Sequence, residues 1–481
     1  MKKLSELFEN VENDVVIKGI KINSKEVVEG DLFVCTMGVT ADRHDFIDDA
    51  IAHGAVAVVV SHDVGKKRVP VVKVKDTNKE FPYLCQRFYD YPENKLTMIG
   101  ITGTDGKTST ATIIQTLIGK EDCGYIGTNG RSYGSFEGDN PNTTPDADKF
   151  YSYLEEFVAY GCHYASTEAS SEAFFRNRLV TFNYDLAILT NVTSEHLNIH
   201  GSFENYIECK KQLFKQTKKD GYCILNKDDE HYKEFIDSCN GKILTYGMDK
   251  DNDLQIVKFD IHPKKTDIVF KYDGEEIKIE SPLLGDFNVY NLAGGLLGCL
   301  ALGFKLKDLL KNISKIKING RIDVIDTKDN YFAIVDYAHT PNGIAKLLNF
   351  VHTLDINRSI VVIGQAGERD YLKRPKVGEV VVKNSDYAIF TAEDPRSEDP
   401  MEICKDIVRT VKDEYDNYEI VVDRTEAIQK AIDIAEEKDI VLVLGKGNET
   451  YEKLKDKTIY FNDEEEVYKA IKNRKKREKK K

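Results

Sequence analysis

Three glycines that run into a lysine and a threonine are the residues of this chain best suited to holding phosphate. Gly100-Ile101-Thr102-Gly103-Thr104-Asp105-Gly106-Lys107-Thr108-Ser109 follows an apolar run with Leu96, Met98 and Ile99 and precedes the helical pattern Thr112 to Ile118. Glycines let backbone N–H groups approach an anion, and the start of a helix adds its dipole. In such a turn Lys107 can reach the β- and γ-phosphates of a nucleotide, and Thr108 can sit on Mg²⁺. The usual pattern G-x-x-x-x-G-K-[ST] wants glycine where this chain has Ile101, so the match is a variant. A surface turn that is Gly-rich by chance is the competing reading, and the flanking strand and helix disfavour it.

Further polar residues lie just past apolar runs: Glu168, Asn191, His196, Asp336 and His339. Each alone reads as an ordinary turn or capping residue. In a parallel sheet, however, the ends of such strands converge on one crevice, which makes the set a candidate for Mg²⁺ and nucleotide contacts.

The elements that must position these groups follow from periodicity. Residues 1–93 alternate short apolar runs such as Ala55 to Val60 with polar turns, predicting a small α/β domain closed by a linker at Tyr91-Pro92-Glu93-Asn94. Residues 94–320 predict a longer α/β unit that carries the phosphate loop, with helices over 146–160 and 202–215 and an antiparallel patch from Lys242 to Glu280. Residues 321–481 alternate strands (Phe332 to Val335, Ser359 to Ile363, Tyr387 to Phe390, Asp439 to Leu444) with helices, predicting a mostly parallel sheet. The fold class expected is α/β in three domains, which agrees with a length of 481 residues.

Composition narrows the classes. A net charge of −13 opposes nonspecific nucleic-acid binding, so anionic substrates must be gripped by local basic groups. No apolar run is long enough for a membrane span and the start carries no apolar signal core, so a cytoplasmic protein with no membrane partner is expected. Nine cysteines without a C-x-x-C pair fit a reducing compartment rather than a disulfide scaffold or a zinc site. The basic stretch Lys472 to Lys481 reads as a solvated helix end.

Taken in order, Thr102 to Thr108, Asn142-Thr143-Thr144-Pro145, Glu168-Ala169-Ser170-Ser171, Thr190-Asn191 to His196 with His200-Gly201, Phe287-Asn288 with Asn291, Gly320-Arg321, Asp336 to Pro341 and Gly445-Lys446-Gly447 resemble the motifs of the Mur ligases. The resemblance spans Ser24 to Glu449 and is nearest to the branch that adds the third residue of the peptidoglycan stem peptide. It implies an N-terminal domain for a uridine diphosphate sugar, a central ATPase, and a Rossmann-like C-terminal domain that closes over the site with the incoming amino acid. It also implies a small-molecule ligase using ATP and Mg²⁺, expected as a monomer. The reaction implied is attack of a D-Glu carboxylate on the γ-phosphate, then attack of an amine on the acyl phosphate.

By the same resemblance, Gly103, Thr104, Asp105, Gly106, Lys107, Thr108 and Ser109 hold the triphosphate. Asn288 and Asn291 lie near adenine, with Arg321, and Asp336 near ribose. Thr108 and Glu168 serve one Mg²⁺ and His196 a second. Lys210 matches the lysine that becomes carbamylated. Ser24, Thr40, Ala41, Asp42, Asn142, Thr143, Thr144, Ser170 and Arg178 take the nucleotide-linked substrate. Arg369, Glu393, Asp394, Pro395, Arg396, Gly445 and Glu449 take the amino acid.

Arg396 favours a substrate with a distal carboxylate, meso-diaminopimelate, over L-lysine. Departures from the family pattern are Glu393-Asp394 for Asp-Asn, Asn448 for His, Glu172 for His, Gln365-Ala366 for Cys-Gly, Asp105 for Asn and Glu195 for Asp. The extra carboxylate of Asp394 adds negative potential, which helps a cationic group. Other readings are the same chemistry with L-lysine or another amino acid, including a pseudomurein peptide ligase, and a non-catalytic precursor-binding paralogue.

Overall fold

The computed structural model describes residues 1–479 except 10, 12, 39, 40, 141, 194, 196, 263 and 321. His196, Thr40 and Arg321, singled out above, therefore lie outside the described residues. The chain divides into two compact units. One is Met1–Val257 with Phe270–Ile277 and Tyr290–Asn312; the other is Lys258–Val269 with Lys278–Val289 and Ile313–Lys481.

In the first unit, β1 (Gly19–Lys21), β2 (Asp31–Val34), β3 (Ala57–Val60) and β4 (Val71–Lys73) form a parallel sheet in that order. Alternation decides which side chain goes where. Phe33, Val58 and Val60 pack on Ile47 and Ala50, whereas Leu32, Val34, Ala57 and Val59 turn to a core shared with Phe81 and Leu84. The linker expected at Tyr91 to Asn94 is instead a packed corner. Asp90 and Tyr91 take left-handed backbone (φ 58° and 54°) before a 3-10 turn at Pro92–Lys95. Glu93 is buried there and accepts a hydrogen bond from Gln86 Nε2 at 2.7 Å.

The larger sheet is built on β5 (Thr97–Thr102), β6 (Cys123–Gly127), β7 (Tyr164–Glu168), β8 (Tyr184–Leu189), β9 (Thr217–Asn226) and β10 (Lys242–Gly247). These six run parallel in the order β6-β7-β5-β8-β9-β10. β5 is central, so the loop after it opens where neighbouring strand ends converge. Helix α1 (Lys107–Ile118) leaves that loop, and α2 (Ala147–Tyr160) and α3 (Phe203–Lys215) follow β6 and β8. The antiparallel patch expected from Lys242 onward begins differently: β10 is parallel to β9, and Leu254 pairs parallel to β10. The buried Tyr246 ring, whose hydroxyl donates to the Leu189 carbonyl at 3.0 Å, draws β10 into the parallel core.

In the second unit, β11 (Asp323–Asp326), β12 (Phe332–Asp336), β13 (Ser359–Ile363), β14 (Tyr387–Phe390), β15 (Tyr418–Ile420) and β16 (Ile440–Leu444) lie in the order β11-β12-β16-β13-β14-β15. Only β11 is antiparallel. Ile344, Val377 and Ile407 cover one face of the sheet, and Ala427, Ile428 and Val467 the other. Helices on both faces of a parallel sheet explain why β13, β14 and β16 are nearly continuous apolar runs.

Candidate active site

The loop after β5 is held by its neighbours. Asn191 receives Asp105 N–H on Oδ1 (3.0 Å), gives Nδ2–H to the Asp105 carbonyl (3.1 Å), and accepts Thr104 N–H on its own carbonyl (2.8 Å). The Thr190 hydroxyl donates to the same Asp105 carbonyl at 2.6 Å. Asn191 thus braces the loop backbone. Gly106 holds φ +81° at the start of α1, and a side chain there would run into Asn291 Oδ1. That close approach is what a phosphate cradle needs, and it seats Asn291 against the loop. Ser109 is buried in the first turn of α1.

Two lysines converge on this backbone. Lys107 Nζ donates to the carbonyls of Gly103 (3.0 Å) and Thr104 (2.7 Å), and Lys210 Nζ, from α3, donates to Gly103 at 2.6 Å. Lys210 is wholly enclosed over the Tyr206 ring, 4.3 Å from its centroid. Burial, and next the Lys107 ammonium, hold Lys210 well below the ordinary lysine range. Tyr206 stands one turn before Lys210 and shares a hydrogen bond with the Thr104 hydroxyl at 3.0 Å.

Glu168 ends β7 fully buried and accepts four hydrogen bonds: Thr108 Oγ1 (3.0 Å), Tyr125 OH (2.7 Å), Thr128 N–H (2.9 Å) and Thr128 Oγ1 (3.2 Å). Thr108 and Glu168 are thus an all-oxygen pair beside the glycine-rich loop, a donor set of the kind that could hold Mg²⁺.

Two cavities adjoin. One of about 190 Å³ has Lys107 and Lys210 on its wall together with Thr143, Ser170, Glu172 and Arg178. The other, about 590 Å³, is lined by Ser24, Ala41 and Arg43 among others, and Asn142 lines both. Thr144 ties them to Glu168: its hydroxyl donates to the Glu168 carbonyl at 2.7 Å, and its carbonyl accepts Arg178 at 3.1 Å. Asp42 fixes the rim. It accepts His44 N–H (2.9 Å) and Nδ1–H (2.5 Å), while His44 Nε2 accepts Ser61 N–H (3.0 Å). Both ring nitrogens of His44 are committed, so the Asp42, His44 and His62 group serves as an anchor rather than a metal site.

The second unit gathers charge at the ends of β14 and β16. Lys446 is fully buried between Asp394 (2.9 Å) and Glu449 (3.1 Å). Arg424 pairs with Asp463 at 2.7 Å, both enclosed. Gly445 lies so near Glu393 that a Cβ would be 2.5 Å from Oε2. Burial pushes the Glu393 carboxyl up to about 7, against the pull of Arg424 and Lys446. Pro395 is buried, Arg369 is exposed, and Arg396 takes left-handed backbone (φ 50°) and donates to the Gly367 carbonyl. Asp336, at the end of β12, accepts Ile322 N–H and Ala338 N–H, each at 2.7 Å. Asn288 is buried with Nδ2 on the Leu284 carbonyl at 2.8 Å.

Known proteins match this arrangement along its length. Residues 16–98 match the Mur ligase family catalytic domain, 101–299 the Mur ligase middle domain, and 320–447 the Mur ligase glutamate ligase domain. The chain belongs to the Mur ligase family. Among the Mur ligases it resembles, the UDP-N-acetylmuramoyl-L-alanyl-D-glutamate--2,6-diaminopimelate ligase of Clostridium perfringens is 35% identical over 94% of both chains. The corresponding ligase 1 of Clostridium acetobutylicum is 38% identical over 95% of both. A solved structure of a ligase with that name has 28% identity and a TM-score of 0.68, covering 98% of this chain and 99% of its own. A MurF ligase from Thermotoga maritima in complex with ADP shares the fold at 19% identity and a TM-score of 0.67, covering 95% and 98%.

Some residues around these sites were given no role from the sequence, Lys446 among them although it stands in the motif Gly445-Lys446-Gly447. Tyr206 was within reach, since a position four before Lys210 on one helix face must neighbour it. Lys446 closes an apolar strand and could have been read as a strand-end group. The Arg424–Asp463 pair joins residues far apart in the chain and leaves no local signal.

Proposed function

We propose that this protein is an ATP-dependent ligase of peptidoglycan synthesis. It adds a diamino acid, meso-diaminopimelate in preference to L-lysine, to the D-Glu of UDP-N-acetylmuramoyl-L-alanyl-D-glutamate. The observation that carries the reading is one cavity whose wall bears Lys107 and Lys210 from the phosphate loop side and Thr143, Ser170 and Arg178 from the substrate side. A carboxylate seated there meets a triphosphate cradled by Gly103 to Ser109. The natures of the relatives and the family membership point the same way.

The D-Glu γ-carboxylate attacks the γ-phosphorus, the bond to the β-phosphate oxygen breaks, and ADP leaves. Lys107 neutralises the charge that develops on the transferring phosphoryl group. The amine of the amino acid then adds to the acyl carbon, and phosphate leaves with amide formation. Thr108 and Glu168 would hold Mg²⁺, with His196 at a second ion; the metal supplies Lewis-acid stabilisation of phosphate charge. Lys210, enclosed and far below the usual lysine range, is an amine poised to lose its proton, the form that captures CO₂ as a carbamate. Asn291 and Asn288 are assigned to adenine and Asp336 and Arg321 to nucleotide contacts.

At the amino-acid end, Arg396 and Arg369 suit a carboxylate. Asp394 does not tip the balance toward a cation, because Lys446 offsets it at 2.9 Å. Glu449, Glu393, Pro395 and Gly445 complete that site. The working division is 1–93 for the sugar nucleotide, 94–320 for ATP and 321–481 for the amino acid, in a cytoplasmic monomer. No helix among the described residues is long and apolar enough to cross a membrane.

The test is phosphate release and product mass with ATP, Mg²⁺, the UDP-muramyl dipeptide and amino acids supplied singly. Turnover with meso-diaminopimelate well above L-lysine is expected. Equal or reversed rates refute the Arg396 argument, and no turnover with any amino acid refutes the acceptor.

A further inference from the structure

The larger cavity of the first unit holds a carboxylate that the reaction above does not use. Asp148, in the first turn of α2, is 4% exposed and lines the 590 Å³ cavity. Its Oδ1 has no hydrogen-bond partner among the described residues. Two of the charges beside it are matched elsewhere: Asp146 is ion-paired to Arg178 at 2.6 Å, and Lys149 to Glu26 at 3.2 Å. Burial, with the Asp146 carboxylate next, pushes the Asp148 carboxyl up to about 6, although Lys21 and Lys149 pull it down. A buried acceptor left without a donor destabilises the fold. An exposed first-turn acid would gain from the helix dipole without that cost, so the position asks for an explanation.

The cavity itself says what kind of group could satisfy it. Ile22, Phe33 and Phe46 give it an apolar wall fit for a flat ring, and Lys25 and Arg43 give it cations fit for phosphate. A phosphate cannot rest against Asp148, since like charges repel. An uncharged donor can, and a nucleoside offers two kinds, an imide N–H and ribose hydroxyls.

We propose that Asp148 is a specificity-determining residue for the nucleoside end of the substrate, its Oδ1 accepting a hydrogen bond from the imide N–H or a ribose hydroxyl of a bound uridine nucleotide. This rests on the nucleotide-linked substrate proposed above and adds a contact that Ser24, Ala41 and Asn142 do not supply. The residue acts on binding and not on bond making, so its loss weakens substrate affinity while the chemical step is kept.

The experiment is calorimetric titration of the full-length protein with uridine diphosphate and its 2′-deoxy, 3′-deoxy and N3-methyl analogues, on wild type, Asp148→Leu and Asp148→Asn. Wild type is expected to bind uridine diphosphate roughly tenfold more tightly than one of the three analogues, which identifies the donor. Asp148→Leu loses roughly that factor for uridine diphosphate and no longer discriminates. Asp148→Asn keeps an acceptor oxygen and retains the discrimination. In turnover, Asp148→Leu raises KM for the nucleotide-linked substrate and leaves kcat unchanged, while its Tm rises because a poorly compensated buried carboxyl is gone. Equal binding of uridine diphosphate by wild type and Asp148→Leu, or equal binding of all four ligands by wild type, overturns the role of Asp148 alone. Failure of wild type to bind uridine diphosphate at all overturns that role and the nucleotide reading of the cavity together.

Discussion

The phosphate loop and the C-terminal charge cluster handle buried lysines in opposite ways. Around the loop, Lys107 and Lys210 give hydrogen bonds to backbone carbonyls of Gly103 and Thr104. In the second unit, Lys446 is enclosed by the carboxylates of Asp394 and Glu449, with Glu393 close by. Carbonyl oxygens hold the two loop-side lysines against the backbone of Gly103 and Thr104, whereas two carboxylates match the single charge of Lys446. Under the proposed function the first region meets phosphate and carboxylate, and the second meets the amine. An amide ligase needs both, one to activate an acid and one to present an amine.

The comparison can be broken most sharply at the loop. Lys107→Met should lower kcat by roughly 10²–10³-fold, as loss of a group that stabilises developing charge does. Phosphate release in the presence of all substrates measures it, and turnover near wild type would remove Lys107 from the chemistry. Lys210→Arg keeps a cation but cannot shed its proton, so activity should drop by roughly 10–100-fold. Intact mass of wild type with and without bicarbonate, showing the addition of one CO₂ that the arginine variant lacks, separates this from simple misfolding.

On the other side, Lys446→Met leaves two acids facing an enclosed space. Breaking a buried pair in this way should cost about 3 kcal/mol in urea unfolding, and an unchanged midpoint would mean that the cluster is wet. Arg396→Ala should narrow the preference for meso-diaminopimelate over L-lysine by roughly tenfold, read from kcat/KM with each amino acid. The smallest effect concerns pH. The Glu393 carboxyl, ordinarily at 4.5, is raised to about 7 in the folded protein. Between those values the folded state binds the proton more tightly than the unfolded chain, so this group lowers stability as pH climbs through the window. Glu393→Gln should flatten the decline, and a decline of the same slope in the variant would assign it to another group.

What was legible in the sequence follows the same divide. Gly103 to Thr108 could be read because glycine, lysine and threonine are contiguous and their geometry is local, and the strand rhythm of Phe332 to Leu444 announced the parallel sheet. Asn191 was marked as a strand-end polar group, yet its grip on Asp105 is a tertiary fact. Lys446 with Asp394, and Arg424 with Asp463, join residues whose separation in the chain hides them. Tyr91 to Asn94 read as a linker because Pro92 and Asn94 are turn formers, while the burial of Glu93 and its hydrogen bond from Gln86 are tertiary facts. Asp148 falls in the helix expected over 146–160, where nothing local distinguishes it from other first-turn acids, and only the cavity beside it reveals its unmet oxygen.

The central claim is that a substrate carboxylate attacks phosphorus in the cavity walled by Lys107 and Lys210. UDP-N-acetylmuramoyl-L-alanyl-D-glutamate carrying heavy oxygen in the D-Glu γ-carboxylate, turned over with ATP, Mg²⁺ and meso-diaminopimelate, tests it directly. Mass analysis of the released phosphate should find one heavy oxygen per turnover, carried over from the carboxylate. Phosphate free of the label, alongside labelled product, would contradict the account.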